Sequence, residues 1–99
     1  MAESRAKVAT INASKYLQQL CKHWSHRFTV RFDPQEGHID FGEGQSVELS
    51  ADPAHLAIVI LDSDASRLDQ MENVVADHIK RFAFRETLEF DWKRGEPAA

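Results

Sequence analysis

The spacing of apolar residues changes along the chain, and each change marks a new secondary-structure element. Over residues 13–27 the apolar positions share one arc at about 100° per residue, which predicts a helix with one buried face. We expect Asn12 or Ser14 to cap this helix and a short strand over residues 5–10 to precede it. The buried face consists of Ala13, Tyr16, Leu17, Leu20, Cys21 and Trp24.

From Phe28 onward the apolar period becomes two, which is typical of strands with one buried face. Four such runs, separated by Pro34, by glycines and by an "ADPA" turn, predict an antiparallel meander over residues 28–61. The last run, "HLAIVIL", is apolar on both faces and is predicted to be central or covered. Its second face, Ala57, Val59 and Leu61, is an apolar strip of the kind that often marks a dimer contact or a closed sheet.

A second helix is predicted in "DSDASRLDQMENVVADHIKRFAF", capped by Ser63 or Asp64 and followed by a closing strand in "TLEFDW". The order β-α-β-β-β-β-α-β predicts an α+β two-layer sandwich, an antiparallel sheet with both helices packed on one face. We expect one domain over residues 1–99 with an ordered core at about 5–92. Residues 1–4 and 93–99 are predicted to be flexible ends. The buried stripe of the second helix is Leu68, Met71, Val75, Ile79 and Phe82.

The composition changes this picture little: 99 residues, 42% hydrophobic and 28% charged, are typical of one soluble globular domain. No apolar run approaches the roughly 20 residues of a membrane helix, so no membrane partner is expected. The single cysteine excludes an internal disulfide, and "MAESRAK" lacks an apolar signal core. Both observations predict a cytoplasmic location.

Charge is distributed unevenly along the chain. Residues 1–32 carry six basic and one acidic side chain, residues 33–79 one against eleven, and residues 80–99 five against four, which sums to −4. The acidic total argues against non-specific nucleic-acid binding. The basic ends of the two helices, if they are neighbours, favour an anionic partner.

Metal and catalytic chemistry find little support in the motifs. Cys21 and His23 differ by about 200° around the helix and cannot face one ion, whereas His23 and His26 could share one, with His78 as a third ligand. No phosphate loop, nucleophile elbow or zinc-protease motif occurs, and Cys21 falls on the buried face. We therefore predict no catalytic residue and no cofactor, and assign no metal ligand. A histidine metal site remains as an alternative.

The basic segments "CKHWSHR" and "DHIKRFAFR" are the most informative feature of the chain. One explanation is structural, because cations are favoured in the last turn of any helix by about 0.3–1 kcal/mol each. The other is a groove between the two helix C-termini, suited to a carboxylate, phosphate or catecholate. Asp77 could orient His78 or belong to a surface ion pair. The candidate ligand residues are His23, Trp24, His26, His78, Arg81 and Arg85.

The segments "NASKYLQQLCKHWSHRF" and "VVADHIKRFAFRETLEFDW" together resemble a family of small bacterial proteins, the domain of unknown function 2218. The resemblance extends from the "A-x-V-x-T" strand at residues 6–10 through "I-D-F-G" at residues 39–42 to Trp92. It implies a protein that stands alone or resembles the N-terminal appendage of flavin-containing siderophore-interacting proteins. The positions that carry it are Tyr16, Leu17, Cys21, His23, Trp24, His26, His78, Phe82, Arg85 and Trp92.

The resemblance implies a link to iron handling but transfers no catalytic residue, and the chain has no flavin motif. We therefore expect a non-enzymatic binding or accessory module, linked to siderophore-iron use, that binds an anionic small molecule or a siderophore-related protein. A homodimeric interaction module that uses the open sheet face is the alternative from a different class.

Overall fold

The computed structural model describes residues 2–95 and confirms the predicted element order and the α+β arrangement. A single turn of 3₁₀ helix over Ala65–Arg67 precedes the second helix. The elements are β1 (Ala2–Ala9), α1 (Ala13–Trp24), β2 (Thr29–Phe32), β3 (Glu36–Gly42), β4 (Gln45–Ala51), β5 (His55–Asp62), α2 (Leu68–Phe82) and β6 (Lys93–Gly95).

The six strands form one sheet in the order β2-β3-β4-β5-β1-β6, in which every neighbouring pair is antiparallel. Strands β2 to β5 are the predicted meander, and β1 lies beside β5 with Ala2 opposite Asp62 and Ala9 opposite His55. Because β1 and β5 run in opposite directions and each leads into a helix that returns across the sheet, α1 and α2 also run in opposite directions. The contacts between the helices, described below, follow from this.

Both helices cover one face of the sheet and bury the faces that the 3.6-residue period predicts. All six predicted residues of α1 are buried, and of the α2 stripe only Phe82 remains half-buried. Strand β5 alternates in step, with Leu56, Ile58 and Ile60 fully buried under the helices. Its other face, Ala57, Val59 and Leu61, is half-buried and points away from the helices, as predicted.

The predicted C-terminal end of α1 and the predicted role of Asn12 as its N-cap need correction. The helix ends at Trp24 rather than at Arg27. The amides of Arg27 and Phe28 both donate to the Trp24 carbonyl and close a turn after the helix. Asn12 occupies the N-cap position, but its side chain makes no cap hydrogen bond and donates to Glu86 instead. Asp64 does cap, accepting from the Ser66 amide at the start of the 3₁₀ turn.

The predicted bounds of the first and last strands are also wrong. Strand β1 begins at Ala2, and the closing strand is Lys93–Gly95, which pairs with residues 3–5 of β1. Residues 87–92 alternate because Leu88, Phe90 and Trp92 pack on the edge of the core, but their backbone joins no strand ladder. Residue 1 and residues 96–99 of the predicted flexible ends lie outside the described residues.

An ion-pair cluster fastens β6 to α2. Arg94 donates from Nε to Glu72 at 2.8 Å and from a terminal nitrogen to Asp69, while the buried Ser4 of β1 donates to the same Glu72 carboxylate. These contacts explain why the short strand β6 holds its place at the sheet edge. Within residues 2–95 no helix has the length and apolar character needed to cross a membrane.

Candidate functional site

Two histidines from different helices lie side by side where the end of α1 meets the C-terminal part of α2. The ring centroids of His23 and His78 are 5.1 Å apart, with the ring planes inclined at 51°. His23 is exposed and His78 is half-buried. The Nδ1 atom of His78 lies 2.7 Å from the Val74 carbonyl oxygen and therefore carries the proton that it donates there. This contact fixes the ring and leaves Nε2 free; we call the two residues the His23–His78 pair.

An aromatic wall supports the His23–His78 pair. The Trp24 ring lies 4.9 Å from the His78 ring and 5.0 Å from the Phe41 ring, and Phe82 meets the edge of His23 at 6.3 Å. Trp24 is only 6% exposed, so it stiffens the site from behind and offers no open face to a ligand. Phe41 was not among the predicted site residues, although its alternation with Ile39 places it on the sheet face beneath α1.

The other three predicted site residues do not join this cluster. His26 and Arg81 are exposed and make no hydrogen bond, ion pair or ring contact within residues 2–95. Arg85 is also exposed, and its guanidinium lies over the Phe84 ring at 5.3 Å. The structure thus brings together His23, Trp24 and His78 of the predicted set.

The predicted meeting of the two helix C-termini is seen in part: His78 and Phe82 of α2 contact His23, whereas the segment beyond α2 turns toward the start of α1. Glu86, four residues beyond the end of α2, accepts hydrogen bonds from Asn12 and Tyr16 at the start of α1. The segment beyond α2 therefore meets the N-terminus of α1, while His78 and Phe82, near the C-terminus of α2, meet the C-terminus of α1. The antiparallel order of β1 and β5 is the cause.

Glu86 is a half-buried residue at the centre of a hydrogen-bond network that the sequence did not reveal. Besides Asn12 and Tyr16, Thr10 donates to its carboxylate at 2.9 Å. The hydrogen bond from Tyr16, followed by those from Asn12 and Thr10, outweighs burial and lowers the pKa of Glu86. Burial in turn raises the pKa of the Tyr16 hydroxyl. Each of these partners lies at least 70 positions from Glu86 in the chain, and no local pattern signals them.

Three cations within four residues of His23 or His78 in the sequence have no carboxylate partner among the residues that the structure describes. Lys22, Arg27 and Arg81 are exposed and enter no ion pair with any residue that the structure describes. By contrast, Arg67 and Arg94 each donate to carboxylates at hydrogen-bond distance. Asp77, next to His78, is exposed and forms neither of the contacts predicted for it within residues 2–95. The three cations are therefore available to a ligand.

Neither a nucleophile nor a complete metal site accompanies the pair. Cys21 is fully buried, and burial raises the pKa of its thiol to about 11, so it presents no accessible thiolate. Among residues 2–95, no three His, Cys, Asp or Glu side chains are arranged to hold a metal ion. A surface groove of about 620 Å³ lies on the opposite face of the sheet.

The fold and this site define a small two-layer α+β protein with a pair of imidazoles, one exposed and one half-buried, on its helical side. A family model described as "Uncharacterized protein conserved in bacteria (DUF2218)" matches residues 5–93, and the chain belongs to this family, as the resemblance predicted. The NMR structure of PA4090 from Pseudomonas aeruginosa is similar, with 43% sequence identity and a TM-score of 0.79. The match covers 94% of this chain and 96% of that one. The comparison with curated proteins found no match.

Proposed function

We propose that this chain is a non-enzymatic binding module that takes an anionic ligand at the His23–His78 pair. The observation that carries the proposal is the placement of two imidazoles from separate helices at 5.1 Å, one of them oriented by the Val74 carbonyl. A ring held in this way presents a defined nitrogen to the surface. A purely solvated histidine has no need of such an anchor.

The hydrogen-bond chemistry of His78 sets the sign of the pH dependence. Its Nδ1 proton is donated to Val74, so Nε2 donates to an anion only when the ring is protonated. An anion therefore binds together with a proton, and its affinity rises as the pH falls through the range in which imidazoles titrate. The unpaired Lys22 and Arg81 add to the attraction.

The ligand class follows from the charge of the site and from the family resemblance. Phosphate, carboxylate and catecholate all suit imidazolium and guanidinium donors. The likeness to an N-terminal appendage of siderophore-interacting proteins makes a ferric catecholate the first physiological candidate. In that role the module would assist a separate reductase in the cytoplasm, a reducing compartment in which the Cys21 thiol stays reduced.

Binding is preferred over catalysis because the one candidate nucleophile is unsuitable. The Cys21 thiol is fully buried and its pKa is raised, so it can neither reach a substrate nor ionise near neutral pH. Although the Val74 carbonyl orients the His78 ring, Cys21 therefore cannot act as a nucleophile beside it.

A second candidate function is binding of a divalent transition metal by the same two imidazoles. The hydrogen bond from His78 Nδ1 to a backbone carbonyl is the support that metal-ligating histidines usually have. Metal binding needs neutral imidazoles, so metal affinity rises with pH, opposite to that of an anion. The two candidates are thus separated by the direction of one titration.

Chemical-shift mapping of ¹⁵N-labelled protein tests the proposal. Phosphate and citrate are titrated at about pH 6 and about pH 8, with ferric catecholate followed by line broadening. We expect changes at His23, His78 and their neighbours that are stronger at the lower pH and are lost in His78→Gln. The His55→Gln variant, which removes an imidazole on the sheet face opposite the helices, is the matched control. Changes confined to the meander, or none at millimolar ligand, would overturn the proposal.

A further inference from the structure

The sheet face that points away from the helices, here called the outer face, carries an apolar strip along its central strand. Ala57, Val59 and Leu61 of β5 form this strip, and all three remain half-buried rather than covered. The groove of about 620 Å³ opens beside it, over β2 to β5, with Ala57 and Val59 among its lining residues. A strip of this kind in the middle of a sheet indicates a partner.

Charge on the outer face is divided by β5 into two halves of opposite sign. On the side of β1 and β6 the outward residues are mainly basic, and on the side of β2 to β4 they are mainly acidic. The basic half contains Arg5, Lys7 and Lys93, with Glu3 as its one acid; the acidic half contains Glu36, Asp40 and Glu48, with Arg31 as its one full cation. The two halves complement each other.

The register of the sheet places one pair of opposite charges next to the strip. Val59 lies opposite Glu48 on β4 and opposite Arg5 on β1, so these two side chains flank it in a single row across the face. Because residues directly opposite one another on neighbouring strands share a face, all three point outward.

We propose that the outer face binds a second copy of this chain. The two-fold axis runs parallel to β5 and passes between the Val59 side chains of the two copies. Rotation about that axis lays β1 of one chain over β4 of the other. Arg5 then faces Glu48 of the partner subunit, and the contact occurs twice because the interface is isologous. The two apolar strips meet at the centre, as the inner faces of a β-sandwich do at about 10 Å separation.

Charge selects this axis over the alternative. A two-fold axis running across the strands would stack each strand on its own copy and bring Glu48 near Glu48 of the partner subunit and Arg5 near Arg5 of the partner subunit. Like charges would then oppose each other throughout the interface. The axis along β5 instead places the basic half of one chain over the acidic groove of the other.

The proposal is independent of the ligand site, because the His23–His78 pair lies on the helical side of the sheet. Loss of ligand binding would leave the dimer unaffected, and a monomeric protein would leave the ligand proposal unaffected. Each experiment therefore reports on one proposal alone.

Sedimentation equilibrium with charge-reversed variants tests the interface. The natural chain is expected to dimerise at micromolar to millimolar concentration, and Glu48→Arg or Arg5→Glu alone to make it monomeric. Mixing the two variants should restore a heterodimer, because each repulsive contact then becomes attractive. Lys15→Glu, an exposed reversal on α1, is the control that should leave the dimer unchanged.

Each other outcome contradicts the proposal. A natural chain that stays monomeric at millimolar concentration, or forms a larger assembly, rules out the two-fold dimer. A dimer that survives both single reversals uses another face. Variants that keep their amide spectra but do not associate when mixed exclude the axis along β5. Since a folding defect cannot be repaired by mixing, recovery of the heterodimer would come from the interface.

Discussion

Gly37 of β3 lies directly against the thiol of Cys21 on α1. A β-carbon at Gly37 would come within 2.7 Å of the Cys21 Sγ and within 3.3 Å of a Leu17 methyl carbon. The sulfur thus occupies the space that a side chain at this strand position would need. Helix α1 approaches the sheet closely here because a glycine and a small buried side chain face each other.

Substitution of Cys21 by alanine should compensate for a side chain added at Gly37. Gly37→Ala should lower the free energy of unfolding by about 1–3 kcal/mol, because the new methyl group overpacks the core. In a Cys21→Ala background the Sγ is gone, and the same substitution should be much less harmful. Urea denaturation of the four proteins measures the coupling, expected at about 0.5–3 kcal/mol. Strict additivity would show that the two residues do not share this space.

Glu86 provides a prediction on the link between the end of α2 and the start of α1. Glu86→Ala removes the acceptor of the buried Tyr16 and Thr10 hydroxyls, and should reduce the free energy of unfolding by about 1–3 kcal/mol. Glu89→Ala, an exposed acid three residues later, is the control and should have no measurable effect.

The same residue gives a pH dependence of definite sign. Hydrogen bonds, that from Tyr16 first, hold the folded-state pKa of Glu86 below its ordinary 4.5. Its contribution is therefore complete above the unfolded-state value and is lost as the pH falls through the folded-state value. The stability difference between the natural chain and Glu86→Gln should shrink on acidification. A difference that stays constant from neutral pH to strong acid would contradict the network.

Asp62 supports a prediction on the junction of β5 and α2. This fully buried carboxylate accepts hydrogen bonds from Arg67, from Gln45 and from the Asp64 amide, which outweigh burial and lower its pKa. Asp62→Ala should destabilise the protein by about 3 kcal/mol. Glu43→Ala removes a more distant, exposed partner of the same Arg67, at 3.8 Å, and should leave the melting temperature unchanged.

These contacts show which parts of the fold a single sequence can predict. Periodicity placed Leu20, Cys21 and Trp24 on the buried face of α1 because burial follows helical phase alone. It could not locate β6, because residues 87–92 alternate like a strand while packing on the core without a ladder. It also gave no sign that Tyr16 meets Glu86, since that contact depends on the relative direction of two helices.

The candidate site was partly predictable for the same reason. His23 and Trp24 follow from the phase of α1, and His78 from the flank of α2. The sequence did not show that Glu86 beyond α2 meets the start of α1. That contact follows from strand direction: β1 and β5 are antiparallel neighbours, so the helices that follow them are antiparallel too. Phe41, which backs the pair, required knowledge of which strand lies beneath α1.

We expect the His23–His78 pair to bind an anion through protonated imidazoles. Its most direct test is a histidine-ring ¹⁵N–¹H titration against pH, with and without phosphate, using His55 and His38 as internal controls. We expect phosphate to move the titration midpoints of His23 and His78 to higher pH and to leave the two control rings unchanged. Midpoints of His23 and His78 that do not move, or that move no more than those of the controls, would contradict it.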